Sequence, residues 1–256
     1  MALVRLPAKD PRTVARDIPG IFDALFPQLI PGVVAHFNRK AIVIPECSRV
    51  PDALVAASAL NKAMLFELAF SRAEQLLNDG SLPDWHACLV VAVARQRRHF
   101  DAKLPTDICE ADRLVAEMVA ENLVRMLEVI KARYPAASLV SSPAIPGYQW
   151  IASGNGDFSI DDALIEFKCT NRHFSSSDYR QIVMYWLLSY ASSIEGKSEE
   201  WREIYLVNPR LNYIVNLPFA LLVSTISGGR SKLDLLELLA SMVGEHTLRM
   251  LGSTTA

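Results

Sequence analysis

Three side chains near the middle of the chain put charge into an otherwise apolar strand: Asp157, Glu166 and Lys168. They sit in the stretch GNGDFSIDDALIEFKCTNRHFSSSDYRQIVMY, which begins at Gly154 and ends at Tyr185. If Asp161-Asp162 forms a two-residue turn, the flanking segments make a hairpin in which Ile160 faces Ala163. Asp157 then lies directly across from Glu166, with Cβ atoms about 4.5–5.5 Å apart. Lys168 projects from the same face as Glu166, while Ile165 and Phe167 point to the other. Two opposed carboxylates beside an ammonium are costly on an apolar strand unless a divalent cation bridges the acids. Binding such a cation is the chemistry this spacing suits.

An acid-x-Lys triplet alone carries little information. With 28 acidic residues and 8 lysines in 256 positions, about one is expected by chance. Asp101-Ala102-Lys103 and Glu195-Gly196-Lys197 also match, but neither has a strand context or an opposing acid. Thirteen residues beyond Lys168, Gln181 and Tyr185 stand at i, i+4 on one predicted helix face. With five glutamines and seven tyrosines that pair is expected only ~0.14 times anywhere in the chain, so its place here adds weight.

Taken together, Asp157, Glu166-Phe167-Lys168 and Gln181-Ile182-Val183-Met184-Tyr185 resemble the PD-(D/E)xK nuclease superfamily. The Gln-x3-Tyr helix is similar to that of its RecB-like and Cas4-like branch. The resemblance covers residues 110–217. It implies an α/β fold with a restriction-endonuclease-like core, αβββαβ, whose mixed central sheet is flanked by helices. It also implies metal-dependent hydrolysis of phosphodiester bonds in DNA, with RNA the less favoured substrate. Asp157 and Glu166 would bind Mg²⁺ or Mn²⁺ with the carbonyl of Phe167, Lys168 would orient or activate the attacking water, and Gln181 and Tyr185 would position DNA or order the site. Gly156 stands where the superfamily's name has Pro. The grouped cysteines of iron–sulfur branches are missing.

The family also draws an acid from the helix before the sheet. On a helical wheel of 110–133, Glu117, Glu121 and Glu128 oppose the apolar face, and Glu121 lies nearest its edge. Glu121 is therefore the expected further metal ligand, with Glu117 the alternative and a surface i, i+4 pair with Arg125 the plainer explanation. Arg172, His173 and Arg180 flank the proposed site and are the expected phosphate contacts. The cluster of Arg95, Arg97, Arg98 and His99 reads better as cations at a helix C-terminus. The rival interpretation of Asp157, Glu166 and Lys168 is a solvated strand face, and of Tyr185 a core tyrosine. On the functional side the rival is an inactive nuclease-fold module that binds nucleic acid or scaffolds a complex. By analogy, the active form would serve DNA repair, recombination or anti-phage defence, beside an ATPase or helicase partner or as a homo-oligomer.

These residues need elements to hold them. Six prolines punctuate the first fifty residues, which read as turns and short helices. Helices follow over 53–77 (one long or two shorter), 85–100 with Asp84 as its cap, and 110–133. Strand-like runs then appear around 139–141, 148–152, 157–160 and 163–169, a helix over 179–192, strands over 204–208 and 212–217, and an amphipathic helix over 232–251. The expected division is a helical N-terminal region, 1–104, and a nuclease-like domain, 105–256.

Composition bounds the partners. With 26 Lys and Arg against 28 Asp and Glu, the net charge of −2 excludes a globally basic binder but not a local basic groove. A 51% hydrophobic, 21% charged chain is not disordered. Cys47, Cys88, Cys109 and Cys169 have no metal-ligand spacing and suit a reducing compartment. The N-terminus shows no secretory h-region, and the charge-free spans 135–156 and 211–229 are too interrupted to cross a bilayer. The expected location is cytoplasmic, with no membrane partner.

Overall fold

The computed structural model describes residues 8–17, 20–78, 82–97 and 104–253. In chain order they form α1 (Pro11–Asp17), α2 (Ile21–Leu25), α3 (Pro31–Asn38), α4 (Asp52–Ala57), α5 (Lys62–Asn78), α6 (Trp85–Gln96) and α7 (Glu110–Lys131). Next come β1 (Leu139–Ser141), β2 (Ala144–Ile145), β3 (Gly154–Asn155), β4 (Phe158–Ile160), β5 (Ala163–Phe167) and α8 (Ser176–Ile194). β6 (Glu203–Asn208), β7 (Tyr213–Pro218), α9 (Phe219–Ile226) and α10 (Lys232–Ser253) complete the chain.

The expected hairpin is present in the expected register: Ile160 pairs with Ala163, Ser159 with Leu164 and Phe158 with Ile165. Asp161 takes the left-handed backbone (φ 51°) that the tight turn requires, and a short polar side chain tolerates it better than most. The main sheet runs β1-β4-β5-β6-β7. β4 runs antiparallel to both its neighbours β1 and β5, β5 and β6 are parallel through the α8 crossover, and β7 returns antiparallel. The protein is thus a mixed α/β fold, with a five-stranded mixed sheet flanked by helices.

Side-chain alternation sorts the two faces. Ala163, Ile165 and Phe167 join Tyr205, Val207 and Ile214 under α5, α6 and α7. Leu164, Ile204, Leu206, Val215 and Leu217 pack instead with α8 and its neighbours. β5 is buried along its whole length, as a strand covered on both faces must be. α8 is buried around most of its circumference because α1, α3 and α9 pack against it.

Both apolar clusters draw residues from either side of the 104/105 division: residues 14–37 pack with α8 and α9, and residues 44–92 with α7 and the sheet. Among the described residues, the N-terminal region is therefore part of the sheet's covering layers and not a separate packing unit. Sequence periodicity reports which face of an element is apolar, but not which partner covers it.

Other departures are local. The 53–77 stretch splits into α4 and α5 because Asp112, in the first turn of α7, binds the break between them. Its Oδ1 accepts from Ser58 Oγ (2.6 Å) and from the N–H groups of Ala59 (2.9 Å) and Leu60 (3.2 Å). Its Oδ2 accepts from Cys109 N–H at 2.8 Å. Residues 148–152 form isolated bridges, Tyr148 to Ile151 and Ile151 to Lys9, in place of the expected strand. α6 ends at Gln96; the expected extension to 100, with Arg98 and His99, lies outside the described residues, as do Asp101 to Lys103. α9 was not expected: Pro218 ends β7 and serves at once as the N-cap of this helix.

Asp112 yields a stability prediction. Burial alone would raise its pKa, but the Ser58 hydroxyl and the backbone donors outweigh burial and hold it below the usual carboxylate range. A depressed folded pKa stabilises above the unfolded value, and that contribution is lost as pH falls through the folded one. Asp112→Ala should cost about 2–3 kcal/mol at neutral pH, since it strands several donors. Urea midpoints should show the gap between wild type and variant narrowing in acid below about pH 4. A constant gap would mean that the charge of Asp112 contributes nothing.

Candidate functional site

The hairpin places Asp157 and Glu166 on the α8 face of the sheet, and α8 brings Gln181 and Tyr185 over them. Lys168 Nζ donates to Glu166 Oε1 at 2.9 Å and to Gln181 Oε1 at 3.0 Å. Gln181 Nε2 donates to Glu166 Oε1 and, at 3.0 Å, to Tyr185 Oη. All three polar contacts of the Gln181 amide are thus spent on ordering the cluster. Asp157 Oδ2 accepts from Phe167 N–H at 2.7 Å, which locks the acid to the strand opposite. The five residues Asp157, Glu166, Lys168, Gln181 and Tyr185 therefore meet in one place. The Phe167 side chain turns to the other face and stacks on Phe66, 4.5 Å between ring centroids.

The cluster is graded from inside to out. Glu166 is 3% exposed and its Oε2 is buried without a hydrogen-bond partner, whereas Asp157 and Lys168 reach solvent. Burial, reinforced by the Glu166 carboxylate, pushes the Asp157 pKa up to about 8, against the lowering pull of Lys168, the Phe167 N–H and Arg12. Burial would lower the pKa of Lys168, but Glu166 and Asp157 outweigh it and hold the side chain as an ammonium. Burial first, then Glu166, keeps the Tyr185 hydroxyl protonated well beyond its ordinary range.

Gly156 packs where a larger residue would not fit. Its N–H donates to the Pro143 carbonyl at 2.9 Å, and a Cβ there would lie 2.9 Å from Leu164 Cδ1 and 3.3 Å from Pro143 Cγ. Proline would lose the hydrogen bond and press on a wholly buried leucine. Gly156→Pro should therefore lower stability by about 2–4 kcal/mol, read from the urea midpoint. An unchanged midpoint would show that this turn repacks freely.

The flanking cations divide. Arg172 and His173 are exposed on the loop between β5 and α8. That loop is pinned by Tyr213 Oη donating to the Arg172 carbonyl (2.8 Å) and by Asn208 Nδ2 donating to the Thr170 carbonyl (3.1 Å). Arg180 instead pairs with Asp23 at 2.7 Å and lies over the Phe22 ring, so it ties α8 to α2. Arg180, expected as a phosphate contact, is thus found in an ion pair that opens to solvent. Arg95 is likewise engaged, with Glu74 at 2.7 Å and over the Phe70 ring.

The helix-borne acid is also corrected. Glu121 is exposed on α7, within the helical layer that covers the opposite face of the sheet, and makes no hydrogen bond or ion pair among the described residues. Glu117 is bound by Arg72, at 2.8 and 3.0 Å. The structure joins neither acid to Asp157 and Glu166. A helical wheel ranks residues by angle about one axis, and cannot tell which end or face of the sheet that axis will cross.

Two residues that sequence reasoning passed over do approach the cluster. Arg12, on α1, lies within electrostatic range of Tyr185, Glu166 and Asp157, and Asp10 holds its guanidinium. Their separation of some 150 positions from Glu166 left no local signal to find them by.

Comparison of the chain with protein-family models, curated proteins and solved structures returned no match. No helix among the described residues is long and apolar enough to cross a membrane.

Proposed function

We propose that the protein is a metal-dependent deoxyribonuclease in which Asp157 and Glu166 hold Mg²⁺ or Mn²⁺ and Lys168 faces the reacting phosphate. The observation that carries this reading is that the hairpin sets two acidic side chains across from one another beside an ammonium that bonds Glu166, with Glu166 Oε2 buried and unpartnered. A hard oxygen donor set with a vacant buried lone pair fits a divalent cation. Among the described residues no group of three or more His, Cys, Asp or Glu gathers, so the Phe167 carbonyl, water and substrate oxygens would complete the shell. The succession α7-β1-β4-β5-α8-β6, with β2 and β3 as an insertion, supports an αβββαβ nuclease core.

Each residue of the chain then has a task. The bound cation would supply Lewis-acid stabilisation of charge on the phosphate oxygens. Lys168, held as an ammonium, donates and does not accept; its part is to orient the attacking water and to offset developing negative charge. Gln181 fixes the Lys168 head and the Glu166 carboxyl in one arrangement, and Tyr185 anchors Gln181 from the apolar side. Arg172 and His173, on the rim, face the path of the flanking backbone phosphates.

The test is incubation with linear, nicked and single-stranded DNA, and with RNA, in Mg²⁺, in Mn²⁺ and in EDTA. Cleavage of DNA should require metal and vanish in Asp157→Ala and Lys168→Ala. A wild type as inert as both variants across every substrate and metal defeats the enzyme reading and leaves a non-catalytic module. Preferential cleavage of RNA would move the substrate class.

A further inference from the structure

α1 packs Val14 and Ala15 into the apolar layer over α8, and further contacts tie its start to the segment that leads into the site. Lys9 N–H donates to the Trp150 carbonyl (3.0 Å) and Ala152 N–H to the Lys9 carbonyl (2.9 Å), a parallel bridge that fastens residues 8–10 to the 148–152 turn. Pro11 follows directly and packs over Gly154, two residues before the Gly156-Asp157 step. α1 then runs along α8, the helix that carries Gln181 and Tyr185. Its second residue is Arg12. Asp10 caps the helix by accepting from Arg12 N–H at 2.7 Å, and the same carboxylate takes the Arg12 Nε and Nη2 donors, each at 3.2 Å. The guanidinium so held lies within electrostatic range of Glu166 and Tyr185, in a cluster whose own cation is Lys168.

We propose that Arg12 is a phosphate-binding residue of this site, gripping a backbone phosphate of the nucleic acid; the proposal rests on the reading of the cluster as a nuclease site. The planar guanidinium can present two parallel N–H donors to a phosphate, a geometry that an ammonium lacks. Its pair with Asp10 is poised for exchange, since each side chain is 42% exposed and ion pairs that open to water are weak. Asp10 acts as a placeholder anion that keeps the guanidinium extended until a phosphate oxygen replaces it. Arg180, the other cation near the helix, sits in a comparably open pair with Asp23. A nucleic acid entering over α8 would meet Arg12 as well as the exposed Arg172 and His173.

The experiment measures binding of a short fluorescein-labelled DNA duplex in EDTA as a function of salt, and cleavage of the same duplex in Mn²⁺. Arg12→Gln should weaken binding about tenfold and reduce the slope of log K against log salt by about 0.9, the loss of one phosphate contact. Arg12→Lys should retain the slope but recover only part of the affinity, because charge remains without the paired donors. Asp10→Asn still caps α1, and should tighten binding severalfold by removing the competing anion. A purely structural role for the pair would make Asp10→Asn and Arg12→Gln weaken binding alike with the slope unchanged, and would overturn the proposal. So would an Arg12→Gln protein that matches wild type in affinity and slope while wild type cleaves normally, leaving the nuclease reading intact. A wild type that binds but never cleaves defeats only the enzyme reading, with the Arg12→Gln slope still deciding this proposal. A wild type that neither binds nor cleaves overturns both.

Discussion

Lys168→Ala is expected to leave a folded protein whose Mg²⁺-dependent cleavage of DNA is at least about a hundredfold slower than wild type. One well-placed donor aimed at developing charge is worth roughly 10²–10³ in rate where it has been removed from other enzymes. Lys168 is the donor in question: its Nζ reaches Glu166 and Gln181 at 2.9 and 3.0 Å, while part of the side chain remains open to the site entrance. That opening is also why the fold should survive. Water can take the place of the ammonium beside Glu166 Oε1, and Gln181 Nε2 still donates to the same oxygen. The stability cost should stay near 1–2 kcal/mol, as for a charged hydrogen bond lost where solvent can enter. The measurement is single-turnover cleavage alongside a urea titration. Equal rates for variant and wild type would remove Lys168 from the chemistry.

Asp157→Asn should separate metal binding from folding. Asparagine keeps an oxygen for the Phe167 N–H, so the link between β4 and β5 persists. It also removes one of two neighbouring acids that burial and mutual repulsion make costly. Without divalent ions the variant should therefore be at least as stable as wild type. With Mn²⁺ the order should reverse. A ligand at a hundred times its Kd stabilises the folded state by about 2.7 kcal/mol, which for a chain of this length raises Tm by roughly 5–10 °C. Wild type should show that rise and Asp157→Asn should lose most of it. An equal Mn²⁺ shift in both proteins would place the ion somewhere other than between Asp157 and Glu166. The pattern of a site that folds more comfortably once its charge is removed is the expected signature of residues kept for function.

The two departures at the site share a cause. A helical wheel singles out Glu121 and closeness in sequence to the site singles out Arg180, and both have the right charge. The fold sets Glu121 among the helices of the opposite layer and gives Arg180 an aspartate, Asp23, from a helix more than 150 positions away. Arg12 is the converse case, remote in sequence and adjacent in space. Charge partners on different elements depend on how layers stack, and no local periodicity encodes that.

The departures in the fold follow the same rule. The division at 104/105 was drawn from a change of pattern, helical before and strand-like after. Both clusters cross it, because an α/β sheet needs helices on each face and this chain recruits them from its N-terminal part as well as from α7 to α10. The split between α4 and α5 likewise depends on Asp112, a residue of a third helix.

What the sequence determined by itself is the inner half of the site. A two-residue turn and a side-chain period of two place Asp157, Glu166 and Lys168 on one face, and a helical period of 3.6 places Gln181 and Tyr185 one above the other. These are short-range geometric constraints, and they hold whatever surrounds them. Tertiary structure alone decided that the two sets would meet through Lys168 and Gln181, that Glu166 would be sealed with one oxygen unpartnered, and that Arg12 would arrive on α1. Those outcomes depend on which apolar face buries against which, an energy shared among elements far apart in the chain and so written in no single stretch of it.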